Sequence, residues 1–201
     1  MAQRKSCLFL DRDGVINVDR GYVSRLEDWE FIPGIFELAR AAVCELQWHI
    51  VVVTNQSGIG RGYYDEETFE WLSRWMKAQF KAQGAALTDV LSCPYHPEAG
   101  VGDYRSEHPW RKPGPGMILE AQRRHCIDLG RSALIGDSES DIAAGRAAQI
   151  GLLIKIGAPG PEAGLAKAQP LYAADLAQAR TILLAWAGDR RHCWDSNGLA
   201  H

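Results

Sequence analysis

Four short, nearly unbroken apolar runs punctuate the chain at residues 7–10, 50–53, 133–135 and 152–156, each rich in Val, Ile or Leu. Runs of that length without polar alternation read as strands buried on both faces, the usual condition in a parallel sheet. Between them the apolar period lengthens. Phe69, Leu72, Met76 and Phe80 recur at spacings of three and four behind Asp65, with Glu66 and Glu67 in the first turn, which predicts a capped helix. Further helices are predicted over residues 36–48, after Pro33-Gly34, and over 115–126, 140–148 and 176–186, the last with Asp175 as its cap. A further strand is expected within 86–93. Strands alternating with helices predict βαβ units with right-handed crossovers, hence an α/β fold with a doubly wound, mainly parallel sheet and helices on both faces. Residues 1–188 read as one domain, 157–164 as a loop with Pro159 and Pro161, and 189–201 as a polar tail of the kind that stays disordered.

The polar residues that follow the strands carry the next step. The first run ends in Asp11-Arg12-Asp13-Gly14, the second in Thr54-Asn55-Gln56-Ser57-Gly58, the third in Gly136-Asp137-Ser138-Glu139-Ser140-Asp141. Any one of these could cap the helix after its strand. Together they deliver polar groups to the carboxyl edge of an open α/β sheet, where ligands bind. Asp11 and Asp13 stand two apart, so an extended chain would point both to one face and Arg12 away. With Asp137 they put three carboxylates in one cleft, and carboxylates that close call for a hard divalent cation with oxygen ligands, usually Mg²⁺. Gly58, Gly60 and Gly62 are expected to leave amides open for a phosphate, although the segment is neither a P-loop nor GxGxxG. Arg111 and Lys112, just before a predicted helix, supply two fixed positive charges.

Composition narrows the partners. A chain of 201 residues, 46% hydrophobic, suits one compact domain that buries roughly 70% of its unfolded surface. The net charge of -3, with both signs interspersed, advertises no nucleic-acid backbone, so the expected partner is small. The apolar stretch before Asp11 is too brief for a signal peptide and no apolar run approaches a membrane span, which points to the cytoplasm. The five cysteines are odd in number and include no CxxC, so no disulfide framework is expected, and Cys7, Cys44 and Cys126 read as buried thiols. Trp71 and Trp75, at i and i+4, read as a packing stripe or a dimer surface, His49 reads as structural, and His125 has no assigned role.

The ordered set DRDGVIN (11–17), a strand ending in Thr54, Lys112 and GDSESD (136–141) resembles the haloacid dehalogenase superfamily of phosphohydrolases. VDRGYV (18–23), TNQSGIGRG (54–62) and RKPGPGM (111–117) are closer to its heptose-1,7-bisphosphate 7-phosphatases and the related histidinol-phosphate phosphatases. The resemblance implies Asp11 as nucleophile, Asp13 as general acid and base, Thr54 and Lys112 on the phosphoryl oxygens, and Mg²⁺ on Asp11, Asp137 and the backbone carbonyl of Asp13, with Asp141 in support. It implies Arg111 for a distal phosphate, with Asp19, Arg20, Gly21, Tyr22, Asn55, Gln56, Ser57 and Arg61 around a sugar.

The spacing leaves no room for a cap domain. Relatives often carry a CxH and CxC zinc loop before RKP; here those positions read Cys93, Tyr95, His108 and Trp110, and Cys93, His96 and His108 form a degenerate set, so zinc is not expected. The implied function is removal of the C7 phosphate of a heptose 1,7-bisphosphate for surface-polysaccharide precursors by a monomer or weak homodimer. Histidinol phosphate, a nucleic-acid end and a non-catalytic binding role stand as alternatives.

Overall fold

The computed structural model describes residues 4–158 and 170–195, with backbone alone from 190. Six parallel strands form one sheet: β1 (Cys7–Leu10), β2 (His49–Asn55), β3 (Asp89–Cys93), β4 (Ala133–Gly136), β5 (Leu152–Ile156) and β6 (Leu171–Ala173), in the order β3-β2-β1-β4-β5-β6. Residue parity divides the core. Leu8 and Leu10 of β1 pack into one apolar cluster, while Cys7 and Phe9 pack into the other on the opposite face. The unbroken apolar runs therefore mean what they predict, a strand buried on both sides.

Helices cover both faces. The first cluster receives α1 (Ile35–Arg40), α3 (Glu66–Ala82) and α6 (Leu176–Asp195); the second receives α4 (Gly116–His125) and α5 (Glu139–Ala147). A single turn, α2 (Ser57–Gly60), precedes α3. Asp65 caps α3 by accepting the Thr68 N–H at 2.8 Å. The single helix expected over 36–48 is α1 followed by a wider π turn over Ala41–Glu45. The last helix runs past Gly188 to Asp195, and residues 196–201 of the expected polar tail, like most of the expected 157–164 loop, lie outside the described residues. No helix among the described residues is long and apolar enough to cross a membrane.

Two cysteine expectations are corrected. Cys7 is buried, but Cys44 and Cys126 are exposed, Cys44 near the end of the π turn and Cys126 in a left-handed conformation just past α4. Their helix ends turn the side chains to solvent, which residue type alone does not reveal. His49 and His125 are structural as far as their contacts go: His49 meets the Thr88 hydroxyl at 3.1 Å and His125 meets Asp89 at 2.9 Å.

Successive strands are laid on one side of β1 as far as β3, and then on the other from β4. The order reverses between β1 and β4, and that switch point is where an open α/β sheet leaves a crevice. The β1–α1 connection, residues 11–34, folds as a strap rather than an inserted domain. Asn17 bridges to both Asp13 and Phe31, and Ile32 donates its N–H to Ile16 at 3.0 Å. Aromatic contacts pin the strap to α3: Trp29 and Phe31 lie 5.5 and 5.6 Å from Trp75, and Phe31 lies 6.2 Å from Phe80. Trp75 thus belongs to packing, whereas Trp71 stays half exposed.

Phe80 is fully buried and also meets Phe36 at 5.2 Å, so it ties the strap, α1 and α3 together. Phe80→Ala is expected to lower unfolding free energy by about 3–5 kcal/mol through lost burial and a residual cavity. Urea denaturation followed by circular dichroism would measure it.

Candidate active site

Three chain segments end at the switch point, and each brings its own polar groups. Asp11 and Asp13 leave β1, Thr54 ends β2 with Gln56 just beyond it, and Asp137 follows β4. They line one cavity of about 430 Å³ together with Lys112 from the loop before α4. Asp19, Gly21, Tyr22, Asn55 and Ser57 also line it, but Arg20, Arg61 and Arg111 do not.

Lys112 is the organising cation. Its side chain is 3% exposed, with Nζ 2.7 Å from Asp11 Oδ1, 2.5 Å from Asp141 Oδ1, and 2.9 Å from the Val53 carbonyl to which it donates. Asn55 places it. The Asn55 amide donates to the Lys112 carbonyl at 3.1 Å and accepts the Lys112 N–H at 3.0 Å, so the end of β2 reads the lysine's backbone as a strand would. Asn55 thus acts mainly on the protein itself. Asp141, 1% exposed, is held on its other oxygen by the Ser138 N–H and hydroxyl, in the capping box that starts α5. The same cap that begins the helix fixes a charged group of the site.

The charges do not balance within the protein. One lysine faces three carboxylates, and Asp11, Asp137 and Asp141 bring ligand oxygens within 4.8 Å of one another. Burial pushes Asp11 up to about 7, Lys112 opposing the shift and Asp141 adding to it. Burial, with Asp141 nearby, pushes Asp137 up to about 6. Burial works against the charge of Lys112, yet Asp11 and Asp141 outweigh it and hold the ammonium above its ordinary value. Fully ionised, the group carries two uncompensated negative charges. A hard divalent cation with oxygen ligands fits that deficit. Gly14 permits the crowding: its φ of 84° is left-handed, and a Cβ there would strike the Asp137 carboxylate.

The local geometry of Asp13 departs from the parity expectation. The chain bends at once after Asp11, because the Arg12 carbonyl accepts the N–H groups of Ile16 at 2.8 Å and Asn17 at 3.0 Å. Both aspartates still line the cavity, but Arg12 does not point away. Its side chain is buried and donates to both Asp13 oxygens at 3.0 Å. Asp13 accepts further from Asn17 Nδ2 at 2.9 Å and Gln56 Nε2 at 3.0 Å. Gln56 also donates to Thr54 Oγ1 at 2.8 Å and accepts the Tyr64 hydroxyl at 2.5 Å. Burial pushes that tyrosine up to about 12, so it stays a donor.

The outer shell is partly as expected. Arg20 turns instead to Glu30, 2.5 Å away at the surface, because an acidic partner on the returning strap is nearer than the cavity. Arg61 lies over the Tyr22 ring at 5.7 Å, and Arg111 donates to the Tyr95 carbonyl at 3.1 Å. Burial and the nearby Arg61 lower the Arg111 guanidinium from its ordinary value. The Gly62 amide, expected to be open, donates instead to the Ile59 carbonyl at 2.9 Å within the turn.

Cys93 is buried in the core, His96 Nδ1 accepts the Glu98 and Ala99 N–H groups, and His108 stacks on Tyr95 at 4.3 Å while accepting the Trp110 N–H. Arg12, Asn17, Tyr64 and Ser138 carry no sequence signal for their parts in the site. Their positions follow from the bend after β1, the close of α2 and the start of α5.

Comparison with known proteins agrees with this geometry. A family model described as HAD-hydrolase-like matches residues 109–179. The chain is 54% identical over 153 residues to D-glycero-alpha-D-manno-heptose-1,7-bisphosphate 7-phosphatase of Burkholderia mallei, covering 76% of this chain and 80% of that one. It is 45% identical to the D-glycero-beta-D-manno-heptose-1,7-bisphosphate 7-phosphatase of Vibrio cholerae, over 82% of this chain and 89% of that one. The crystal structure of D,D-heptose 1,7-bisphosphate phosphatase from B. bronchiseptica, complexed with magnesium and phosphate, superposes with a TM-score of 0.74 at 29% identity, covering 90% of this chain and 99% of that one.

The raised carboxyl pKa values set a direction. The folded chain keeps protons on Asp11 and Asp137 that the unfolded chain has released. This contribution to stability is full below about pH 4 and is lost as pH rises through about 6–7. A divalent cation competes with the same protons, so the rise in Tm on adding Mg²⁺ to metal-free protein is expected to be larger at pH 8 than at pH 5.5. Thermal melts at the two pH values, with and without Mg²⁺, measure this.

Proposed function

This chain belongs to the heptose-1,7-bisphosphate 7-phosphatases of the haloacid dehalogenase-like hydrolases, and from that premise we propose how its residues remove the C7 phosphate of D-glycero-D-manno-heptose 1,7-bisphosphate. The observation that carries the reading is the Asp11–Lys112–Asp141 chain of charges beside Asp13 in one cavity. Lys112 Nζ and the Arg12 N–H both meet the Asp11 carboxylate at Oδ1. Oδ2 attacks phosphorus, the bond from phosphorus to the C7 oxygen breaks, and Asp13 gives that oxygen a proton. In the second step water attacks the aspartyl-phosphate, Asp13 takes the proton, the bond to Asp11 breaks and orthophosphate leaves.

Thr54 and Lys112 hold the oxygens on which charge gathers. Because Thr54 Oγ1 accepts from Gln56, its own hydrogen is free to donate to the phosphoryl group. Asp11, Asp137 and the Asp13 carbonyl would hold Mg²⁺, while Asp141, already committed to Lys112 and Ser138, supports from outside. When bound, Mg²⁺ supplies the positive charge that the acidic group lacks.

Asp19, Gly21, Tyr22, Gln56 and Ser57 line the sugar side, and Arg61 with Arg111 beyond Tyr22 takes the phosphate on C1. Two arginines favour a second phosphate over the cationic amine of histidinol phosphate, and the curated relatives likewise give that alternative no support. In the loop around residues 93–110, Tyr95 stacks on His108 and the His96 and His108 imidazoles accept backbone N–H groups.

Asp11→Asn is expected to lower turnover of the bisphosphate by about 1,000-fold or more, and an undiminished rate of phosphate release would reject the mechanism. Arg111→Ala is expected to raise KM for the bisphosphate by about 10-fold or more, the loss of a charged hydrogen-bond pair. KM for heptose 7-phosphate, which lacks the C1 phosphate, is expected to change by less than about threefold. Steady-state assays on the two substrates measure the difference.

A further inference from the structure

Among the described residues Arg12 is the largest fully buried side chain, 1% exposed, and it stands between the two aspartates that carry the chemistry. A guanidinium does not lose its proton in a protein, and burying one costs several kcal/mol unless it is well paired. Its Nε and Nη2 each meet an Asp13 oxygen at 3.0 Å, while Nη2 also donates to the Val23 carbonyl at 2.8 Å. Its Cζ lies 5.7 Å from the ring centroids of both Trp29 and Phe69. The planar fork fixes the plane of the Asp13 carboxylate, and the two rings fix the plane of the fork.

We propose that Arg12 is a positioning residue for the acid and base steps, acting through Asp13 and not on the phosphoryl group. The proposal rests on the reading of Asp11 as nucleophile and Asp13 as proton carrier. A purely structural role, fastening the 11–34 strap, explains less. That strap already has its own backbone bonds, including Val18 N–H to Glu30 and Ile32 N–H to Ile16, and its aromatic contacts to α3. The guanidinium donates to the Val23 carbonyl, while its two-pronged contact goes to a carboxylate that lines the cavity. Asn17 and Gln56 complete the cradle, and Gln56 ties it to Thr54. The proton is thereby delivered beside the oxygen that Thr54 and Lys112 hold.

The leaving group separates the two roles. Nitrophenolate departs without a proton, whereas a sugar alkoxide needs one, and removal of general-acid assistance costs typically about 100-fold or more. Arg12→Met and Arg12→Lys are compared with the parent enzyme and Asp11→Asn, all with Mg²⁺. First-turnover release of p-nitrophenolate from p-nitrophenyl phosphate is set against turnover of heptose 1,7-bisphosphate. Both Arg12 variants are expected to lose about 100-fold or more on the bisphosphate and less than about 10-fold in the first-turnover release. Added guanidinium at millimolar concentration is expected to restore bisphosphate turnover in Arg12→Ala by 10-fold or more.

Phe69→Leu, which keeps Arg12 and removes one ring that orients it, gives the same split on a smaller scale and serves if the Arg12 variants do not fold. Equal losses on both substrates, in variants that keep the parent Tm, would overturn the positioning role while leaving the nucleophile reading intact. Release of p-nitrophenolate by Asp11→Asn at the parent rate would instead overturn that reading.

Discussion

Everything in the site answers to one constraint: a single buried ammonium must hold carboxylates brought together from two strand ends and a helix start. Lys112 lies within ion-pair distance of Asp11 and Asp141, and each partner is fixed by a different element of the fold. Asp11 leaves β1, Asp141 lies in the first turn of α5, and Asn55 at the end of β2 grips the lysine's backbone. Removing Lys112 would leave two buried carboxylates without their partner, which is costlier than never having made the pairs. The pair also leaves the cluster two charges short of neutral, and this deficit makes a divalent cation part of the design rather than an accessory.

The second constraint is the bend after β1. Had the chain continued extended, Arg12 would share the face of Leu8 and Leu10, away from both aspartates. The turn closed on the Arg12 carbonyl instead lets the guanidinium meet Asp13 and the Val23 carbonyl of the strap. Trp29 and Phe69 cover it there, with Trp29 itself held by Phe31 and Trp75. Core packing, the strap's path and the orientation of a proton carrier are thus one structure. A cluster of aromatics at the edge of the core determines where the Asp13 carboxylate can lie.

The cavity's outer wall is built differently. Among the described residues no inserted domain follows β1, and Tyr22, which lines the cavity, meets Tyr63 edge to face at 4.7 Å and lies beneath Arg61 at 5.7 Å. Tyr22 itself has a φ of 55°, an uncommon conformation for a bulky residue, and lines the cavity. Beyond it, stacking between Tyr95 and His108 organises the loop that ends in Arg111 and Lys112. Buried ion pairs hold the polar groups at the centre, while aromatic contacts organise the surrounding loops.

Much of this was legible in the linear chain. Both-face burial of residues 7–10, 50–53, 133–135 and 152–156 follows from apolar runs too short and too continuous for anything but central parallel strands. The placement of Asp11, Thr54 and Asp137 follows in turn, because a strand's first polar residue must emerge at the sheet's edge. Local patterns, however, report only the direction in which a residue leaves its own element. They set Arg12 apart from Asp13, since period-two alternation ends where the chain turns, and they sent Arg20 to the substrate when Glu30 lies closer. Asn55 on the Lys112 backbone and Tyr64 on Gln56 depend on segments 57 and eight residues apart meeting across the crevice. The sequence by itself determined the sheet and the identity of its charged groups. Only the tertiary structure decided which of them are partners, because pairing is set by distances between elements and no spacing along a single element encodes them.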